Sequence, residues 1–399
     1  MLFLFHGMQM EAMMLSRRNF IRVVGTGGAV MALGAGGWWA GTRGAMPDSA
    51  VAPWGGPAAG LRDPRLRAAS HALLAPNAHN RQAWLLRLVG ADEAVLQVDL
   101  DRLLPETDPP GRQILISQGT FLELFRMAAA AEGYRTEITL LPEGAFEADR
   151  LDARPVAHLR LVRDGAVPAD PLFAWTGKRR SNRDPYDTAR PVDPARLVRL
   201  TDAMPAGVRL VTADEPVLRQ RLRDLMEAAM RLEIETPHTF GESIDLMRIG
   251  PAEVAADPDG ISLLGPMMWW GSRLGFVSRE DLRTPGSASF QVGLDMARDQ
   301  AQTAMAHGWI VTPDNNRESQ LRAGFAFVRL GLKAAEQGMA MQPMSQLLQE
   351  YPEMTDLQRQ FLETVGVTAP AHVQMLVRFG HAADPGPSPR RPLDAIMVA

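Results

Sequence analysis

GTFLELFRMAAAAEG, residues 119–133, and GFAFVRLGLKAAEQG, residues 324–338, are two versions of one pattern set 205 positions apart. Both open and close on glycine. Both place aromatics early, Phe121 and Phe125 in one and Phe325 and Phe327 in the other, and both carry an Ala-Ala pair, Ala129-Ala130 and Ala334-Ala335, at the same distance from the first glycine. In the first copy Phe121, Leu124, Phe125 and Ala128 recur at helical spacing, and Gly133 ends the run. The second copy predicts a helix over Glu318–Gln337. An offset of about half of the 399-residue chain implies two halves of one architecture, folded against each other like a dimer in one chain.

Around the first copy, helical spacing runs from Pro64 to Leu74. Trp84–Val89 and Ala94–Leu100 read as a hairpin, and Ile138–Leu141 and Ala157–Val162 as strands. Residues 46–60 have the Pro, Gly and Ala content of a linker. The proline-rich, basic stretch 166–195 marks a boundary, so 46–165 and 166–399 are the expected halves. The second half predicts a helix over Val217–Glu235 and a strand over Val373–Phe379. Between them, residues 237–290 lack clear periodicity and hold Pro237, Pro251, Pro258, Pro266 and Pro285 with the apolar cluster Met267-Met268-Trp269-Trp270. Such a stretch is expected to be a lid-like insertion, or a loop whose aromatics plug a gap in the core.

Composition excludes whole classes of chemistry. With 46% hydrophobic and 22% charged residues the chain is globular, and a net charge of −4 gives no general attraction to nucleic acid. The absence of cysteine excludes disulfides, thiolate nucleophiles and cysteine-held metals. Only Lys178 and Lys333 are lysines among 42 basic residues, which leaves lysine-dependent chemistry almost nowhere to sit. The eight histidines lack metal-ligand spacing, so no metal site is expected, and no Gly-x-Ser-x-Gly elbow supports a serine hydrolase.

Residues 16–22, Ser16-Arg17-Arg18-Asn19-Phe20-Ile21-Arg22, resemble a twin-arginine export signal, and the glycine-rich apolar stretch Val23–Ala40 follows as its hydrophobic region. Residues 1–45 are therefore expected to be a signal peptide that delivers the chain to the periplasm through the twin-arginine export machinery. If uncleaved, the segment would anchor the chain in the membrane. Met13 or Met14 would give a more usual start for such a signal.

Three polar segments could carry function. Lys178-Arg179-Arg180-Ser181-Asn182-Arg183 and Pro389-Arg390-Arg391-Pro392 suit a phosphate, which arginine's planar fork holds bidentately. Pro76-Asn77-Ala78-His79-Asn80-Arg81-Gln82-Ala83-Trp84 is a polar turn between a helix and a strand, able to approach a flat polar ring closely. This turn resembles the Pro-Ser-x-x-Asn-x-Gln-Pro-Trp turn of the flavin-binding nitroreductase superfamily, with Asn77 in place of the serine and Ala83 in place of the second proline. The resemblance runs from about residue 64 to 398 and is greatest to the Acg-type subgroup, in which two nitroreductase halves are fused. It includes Asp101-Arg102, Asp108-Pro109-Pro110-Gly111-Arg112, Ser117-Gln118-Gly119, Arg179–Arg183, Gly338–Pro343 and Pro389–Leu393.

The resemblance implies an α+β, nitroreductase-like fold whose two pseudo-symmetric halves mimic the usual homodimer, acting as a monomer. It implies one FMN between the halves. Arg179, Arg180, Ser181 and Arg183 would hold its ribityl and phosphate groups, with Arg390 or Arg391 as a second phosphate contact. Pro76, Asn77, Ala78 and Asn80 would border the ring, and Gln342, Pro343 and Met344 would line it. The expected activity is two-electron reduction of a small organic acceptor, nitroaromatic or quinone-like, by a donor the sequence does not name. No catalytic acid or base is required. Flavin storage under a closed lid is the alternative, and a cofactor-free interaction protein a weaker one.

Overall fold

A computed structural model describes residues 44–273 and 277–398. Of the expected export signal, all but Gly44 and Ala45 lies outside the described residues. After a helical turn at Asp48–Val51, the first half is built from α1 (Pro64–Ala72), the β1–β2 hairpin (Trp84–Val89, Glu93–Val98), α2 (Arg112–Ala131), β3 (Tyr134–Leu140) and β4 (Ala157–Arg163). The Asp63 carboxylate caps α1 by accepting from the Arg65 amide at 2.9 Å, and Pro64 takes the first helical position, where a missing N–H costs nothing. In the hairpin Leu86 faces Leu96, and both are fully buried.

The second half contains α3 (Pro194–Leu200), β5 (Arg209–Ala213), α4 (Pro216–Glu235), β8 (Ala306–Thr312), α10 (Arg317–Glu336), β9 (Ala340–Pro343), α11 (Thr355–Val365) and β10 (His372–Gly380). Its sheet runs β5-β8-β10-β9, antiparallel throughout. The first sheet runs β11-β1-β2-β4-β3, and β11 (Met397–Val398) comes from the end of the chain to pair in parallel with β1. The second half thus gives its last strand to the first.

Residues 237–290 are more ordered than their sequence implies. They form α5 (Pro237–Asp245), β6 (Met247–Ile249), α6 (Pro251–Ala256), β7 (Ile261–Leu263), α7 (Pro266–Arg273) and α8 (Arg279–Arg283), and run into α9 (Ala288–Gln302). Strands β6 and β7 pair in parallel as a sheet of their own. Each helix is too short to show a period, and Pro237, Pro251 and Pro266 stand at helix starts instead of interrupting structure.

The two repeats are the central helices, and they touch backbone to backbone. A Cβ on Gly119 would stand 2.1 Å from the Leu321 carbonyl oxygen, and one on Gly324 would stand 2.1 Å from that of Ile116. The two contacts exchange under the 205-residue offset, so the crossing lies on the pseudo-twofold axis. The same offset relates Arg112 to Arg317, the first residues of α2 and α10. Buried Arg112 donates to the Gln374 carbonyl at 2.9 Å and to that of Leu348, and pairs with Glu350 at 3.1 Å, all in the second half. Arg317 donates to the Glu147 and Pro110 carbonyls at 2.9 Å in the first. Helix α2 begins seven residues before the quoted repeat and is buried nearly all round: one side packs on its own sheet, the other on α10.

His307 on β8 is fully buried, and neither ring nitrogen has a hydrogen-bond partner. Burial, reinforced by Arg223, Arg219 and Arg378, lowers its pKa to about 3.

Gly324→Ala should destabilise the fold by about 2–3 kcal/mol in urea unfolding, because overpacking against a carbonyl outweighs alanine's better helix propensity. Gly293→Ala in α9, where nothing lies within 4 Å, should be neutral or stabilising by up to about 1 kcal/mol. Below pH about 6.5 the unfolded chain binds a proton at residue 307 that the folded one refuses, so stability falls with pH from there toward about 3. In thermal melts His307→Gln should flatten that acid slope.

Candidate functional site

The loop after α1 is fastened to the amino-terminal half of α2. Ser117 Oγ accepts from the Ala78 amide at 3.0 Å, and Thr120 Oγ1 donates to the Pro76 carbonyl at 2.6 Å. Asn77 Oδ1 accepts from the Gln82 amide at 2.8 Å and closes the turn. Within it His79, Asn80 and Gln82 have φ of 47°, 53° and 51°, the left-handed region that non-glycine residues rarely enter.

A cavity of about 60 Å³ lies beside this loop, between the halves, lined by Pro76, Asn77, Ala78, Ser117, Ser181, Phe327, Pro343 and Met375 among others. Its apolar walls come from both halves, and exposed Ser181 stands on its rim.

A group of arginines gathers near the end of α1. Arg179 donates to the Leu74 carbonyl at 2.9 Å, and Gly331 on α10 makes room for it, since a Cβ there would lie 3.1 Å from the Arg179 side chain. Arg390 donates to Asn80 Oδ1 at 2.7 Å and to Ser388 Oγ at 2.7 Å. Trp54 lies against Arg180 at 4.6 Å and Arg390 at 5.4 Å, and its indole N–H donates to the Ser388 carbonyl at 2.8 Å. Residues 46–60 are therefore part of the site's wall and not a free linker.

Arg180 pairs with Asp384 at 3.2 Å. Arg179 and Arg390, each 3% exposed, have no ion pair among the described residues, and Arg179 Nη1 and Arg390 Nε have no hydrogen-bond partner. Burial, then Arg180, lowers Arg179 to about 10. Burial, then Arg179 and Arg180, lowers Arg390 to about 9. Two buried cations without a counter-charge are costly, and the arrangement is complementary to an anion. Arg183 is open to solvent, yet the protein massed around it lowers its pKa, as in a concave setting. Burial, with the Arg183 and Arg81 charges, lowers His79 to about 4, so its ring is neutral at pH 7.

The structure thus brings Pro76, Asn77, Ala78, Ser181 and Pro343 to the cavity, and Arg179, Arg180, Arg390 and Asn80 to the basic group. It turns three other side chains elsewhere. Gln342 bonds Gln300 at 2.9 Å and accepts from Arg378 at 2.6 Å, while Met344 packs in the core. Arg391 bonds the Ala395 carbonyl at 2.6 Å and pairs with Asp99 at 3.4 Å, so of the two adjacent arginines Arg390 joins the group. Sequence reading missed Trp54 and Thr120 and, though it singled out Ser117-Gln118-Gly119, gave Ser117 no role, because these roles depend on distant partners. Among the described residues no cluster of His, Asp and Glu could hold a metal ion.

No family model matches the chain. It is 25% identical over 348 residues to an uncharacterized protein of Mycobacterium tuberculosis, covering 81% of this chain and 89% of that one. To a protein of the same organism named as an NAD(P)H nitroreductase, acg, it is 26% identical over 354 residues, covering 81% and 92%. Over most of its length the chain is thus similar to proteins named as nitroreductases, acg among them. Its own fold is α+β, with two halves whose central helices meet under the 205-residue offset. Among solved structures, an FMN-bound nitroreductase of Bacteroides fragilis aligns at 14% identity and a TM-score of 0.33, over 56% of this chain and 94% of that one.

The uncompensated arginines predict anion binding. Inorganic phosphate at tenfold its Kd should stabilise the wild type by about 1.4 kcal/mol in thermal melts. Arg390→Met should abolish the response.

Proposed function

We propose that the chain is an FMN-dependent oxidoreductase of the nitroreductase type, which reduces a small nitroaromatic or quinone-like acceptor by two electrons. The observation that carries this reading is the pair of buried, unpaired arginines, Arg179 and Arg390, beside an apolar cavity between the halves of a chain similar over most of its length to proteins named as nitroreductases. A phosphate would supply the counter-charge they lack, and the Pro76–Ala78 turn would border a flat ring at the mouth of the cavity. The bound flavin supplies the hydride chemistry.

The chain's own residues bind and orient. Arg179 and Arg390 hold the phosphate, and Arg180, stacked on Trp54, adds a third guanidinium beside it. Asn80 fixes Arg390 in place through its side-chain oxygen. Pro76, Asn77, Ala78 and Pro343, which line the cavity, would border the ring, and Ser181 and solvent-exposed Arg183 would add polar contacts. Phe327 and Met375 exclude water from the cavity wall. His79, neutral at pH 7, adds no charge to the turn. The stretch Arg179–Arg183 has no counterpart in the first half, so one flavin binds per chain.

The chain works as a monomer, is exported folded by the twin-arginine machinery, and takes electrons in the periplasm from a donor other than a nicotinamide nucleotide. A second reading, flavin sequestration, is favoured by the way residues 237–290 dock on the His79–Gln82 turn, where the Gly260 amide donates to the Asn80 carbonyl at 3.1 Å.

Titration with FMN, followed by flavin fluorescence, should show one equivalent bound, and Arg179→Met should weaken binding at least about tenfold, the value of one charged hydrogen bond. Failure of the wild type to bind FMN refutes the proposal. Chemically reduced, flavin-loaded protein should be reoxidised by a quinone or nitroaromatic; bound flavin that stays reduced favours sequestration. Rapid, saturable reduction by NADPH overturns the assignment of the donor.

A further inference from the structure

The left-handed turn at His79–Gln82 is held from outside the first half. Asp259, at the tip of the insertion and 3% exposed, accepts from Arg102 at 2.5 Å, Arg248 at 2.5 Å and Arg81 at 3.3 Å. Arg81 belongs to the turn itself, Arg102 follows the hairpin, and Arg248 lies on β6 of the insertion, so one carboxylate ties three segments together. The backbone adds to the tie. The Gly260 amide donates to the Asn80 carbonyl at 3.1 Å, and Gln82 Nε2 donates to the Pro258 carbonyl at 3.0 Å. Gly260 has φ +65°, and a Cβ there would lie 2.1 Å from the Leu246 carbonyl oxygen, so the insertion tip is itself tightly fixed.

We infer that Asp259 is a positioning residue for the cofactor site: through it the insertion holds the His79–Gln82 turn in the shape that presents Asn80 to Arg390. The inference rests on the proposed FMN site for its function, but not for its structural content. Residues that occupy left-handed backbone without glycine do so because their surroundings impose it, and here the surroundings are Asp259, Gly260 and Pro258. The far side of the same turn carries Asn80 Oδ1 against Arg390 at 2.7 Å and Gln82 Oε1 against the Arg391 amide at 2.7 Å. Removing the carboxylate leaves Arg81, Arg102 and Arg248 facing one another, with Asp99, already shared by Arg102 and Arg391, as the remaining anion beside them. The insertion is thus a buttress of the site as well as its neighbour, and cutting it away would dismantle the turn.

The test is amide hydrogen exchange in the full, flavin-free chain together with FMN titration. In Asp259→Asn, exchange over residues 77–82 should be at least tenfold faster than in the wild type, with β8 and β10 unchanged, and FMN affinity should fall at least tenfold. Asp259→Glu, which keeps the charge, should recover part of both losses. Should Asp259→Asn loosen β8 and β10 as well, Arg248→Gln is read in its place, with the same local effect and smaller size. Unchanged exchange over residues 77–82 in the variant so read overturns the inference. Faster exchange there with undiminished FMN affinity overturns the link to the site. If the wild type binds no FMN, the functional proposal fails while the exchange result still decides what Asp259 holds.

Discussion

The contact between Gly119 and Gly324 sets the rest of the molecule. Two helices that meet through backbone carbonyls cannot carry a side chain at the meeting point, since a Cβ on either would lie 2.1 Å from an oxygen of the other. Close approach also fixes the relative placement of everything attached to α2 and α10. Their first residues, Arg112 and Arg317, each reach across to carbonyls of the opposite half, so the two ends of the crossing are pinned by the same device used twice. The cavity lies where α2 emerges from this crossing, with the Pro76–Ala78 turn hung on Ser117 and Thr120. A glycine pair thus fixes the scaffold on which the site depends.

Charge balance and hydrogen-bond satisfaction together separate scaffold from site. Arg112 pairs with Glu350 at 3.1 Å, and half-buried Arg329 with Glu123 and Asp170 at 2.9 and 2.6 Å, while Arg317 and Arg378, buried without an ion pair, have all three guanidinium nitrogens hydrogen-bonded. Arg179 and Arg390 are as deeply buried, have only carbonyl, amide and hydroxyl partners, and each leaves one guanidinium nitrogen without a partner. A folded chain tolerates such a pair when something else supplies the negative charge, because breaking charge balance in a buried place costs several kcal/mol. The coincidence of a missing counter-charge with an unpartnered buried donor on each guanidinium is what singles out this position as a candidate binding site.

Much of this was legible in the sequence, and the parts that were not share a cause. The repeat, the hairpin, α4 and the β10 strand are local patterns, and they fold where the periodicity places them, with α2 longer at its start. Arg112 and Arg317 stand at one offset from the repeat glycines, but their partners lie in the other half, so their kinship is invisible without the crossing. The insertion reads as irregular because helices of five to nine residues are too short to declare a period. Trp54 sits in a stretch whose composition is that of a linker, and only its contacts with Arg180 and Arg390 give it a role. Asp259 is an isolated aspartate whose partners Arg81 and Arg102 lie 178 and 157 positions away.

Asn77 illustrates how one substitution can move a function without removing it. The family turn carries a serine there, and asparagine would be read as a changed ring contact. Its side chain instead accepts from the Gln82 amide at 2.8 Å and donates to the Ala75 carbonyl at 3.1 Å, closing a turn that contains three left-handed residues. A serine hydroxyl, one atom shorter in reach, cannot span the same turn while also meeting both partners. The turn therefore needs two supports, the side chain of Asn77 from within and the carboxylate of Asp259 from the insertion. The insertion and the asparagine are parts of one solution, in which a segment docked on the turn helps to set its geometry.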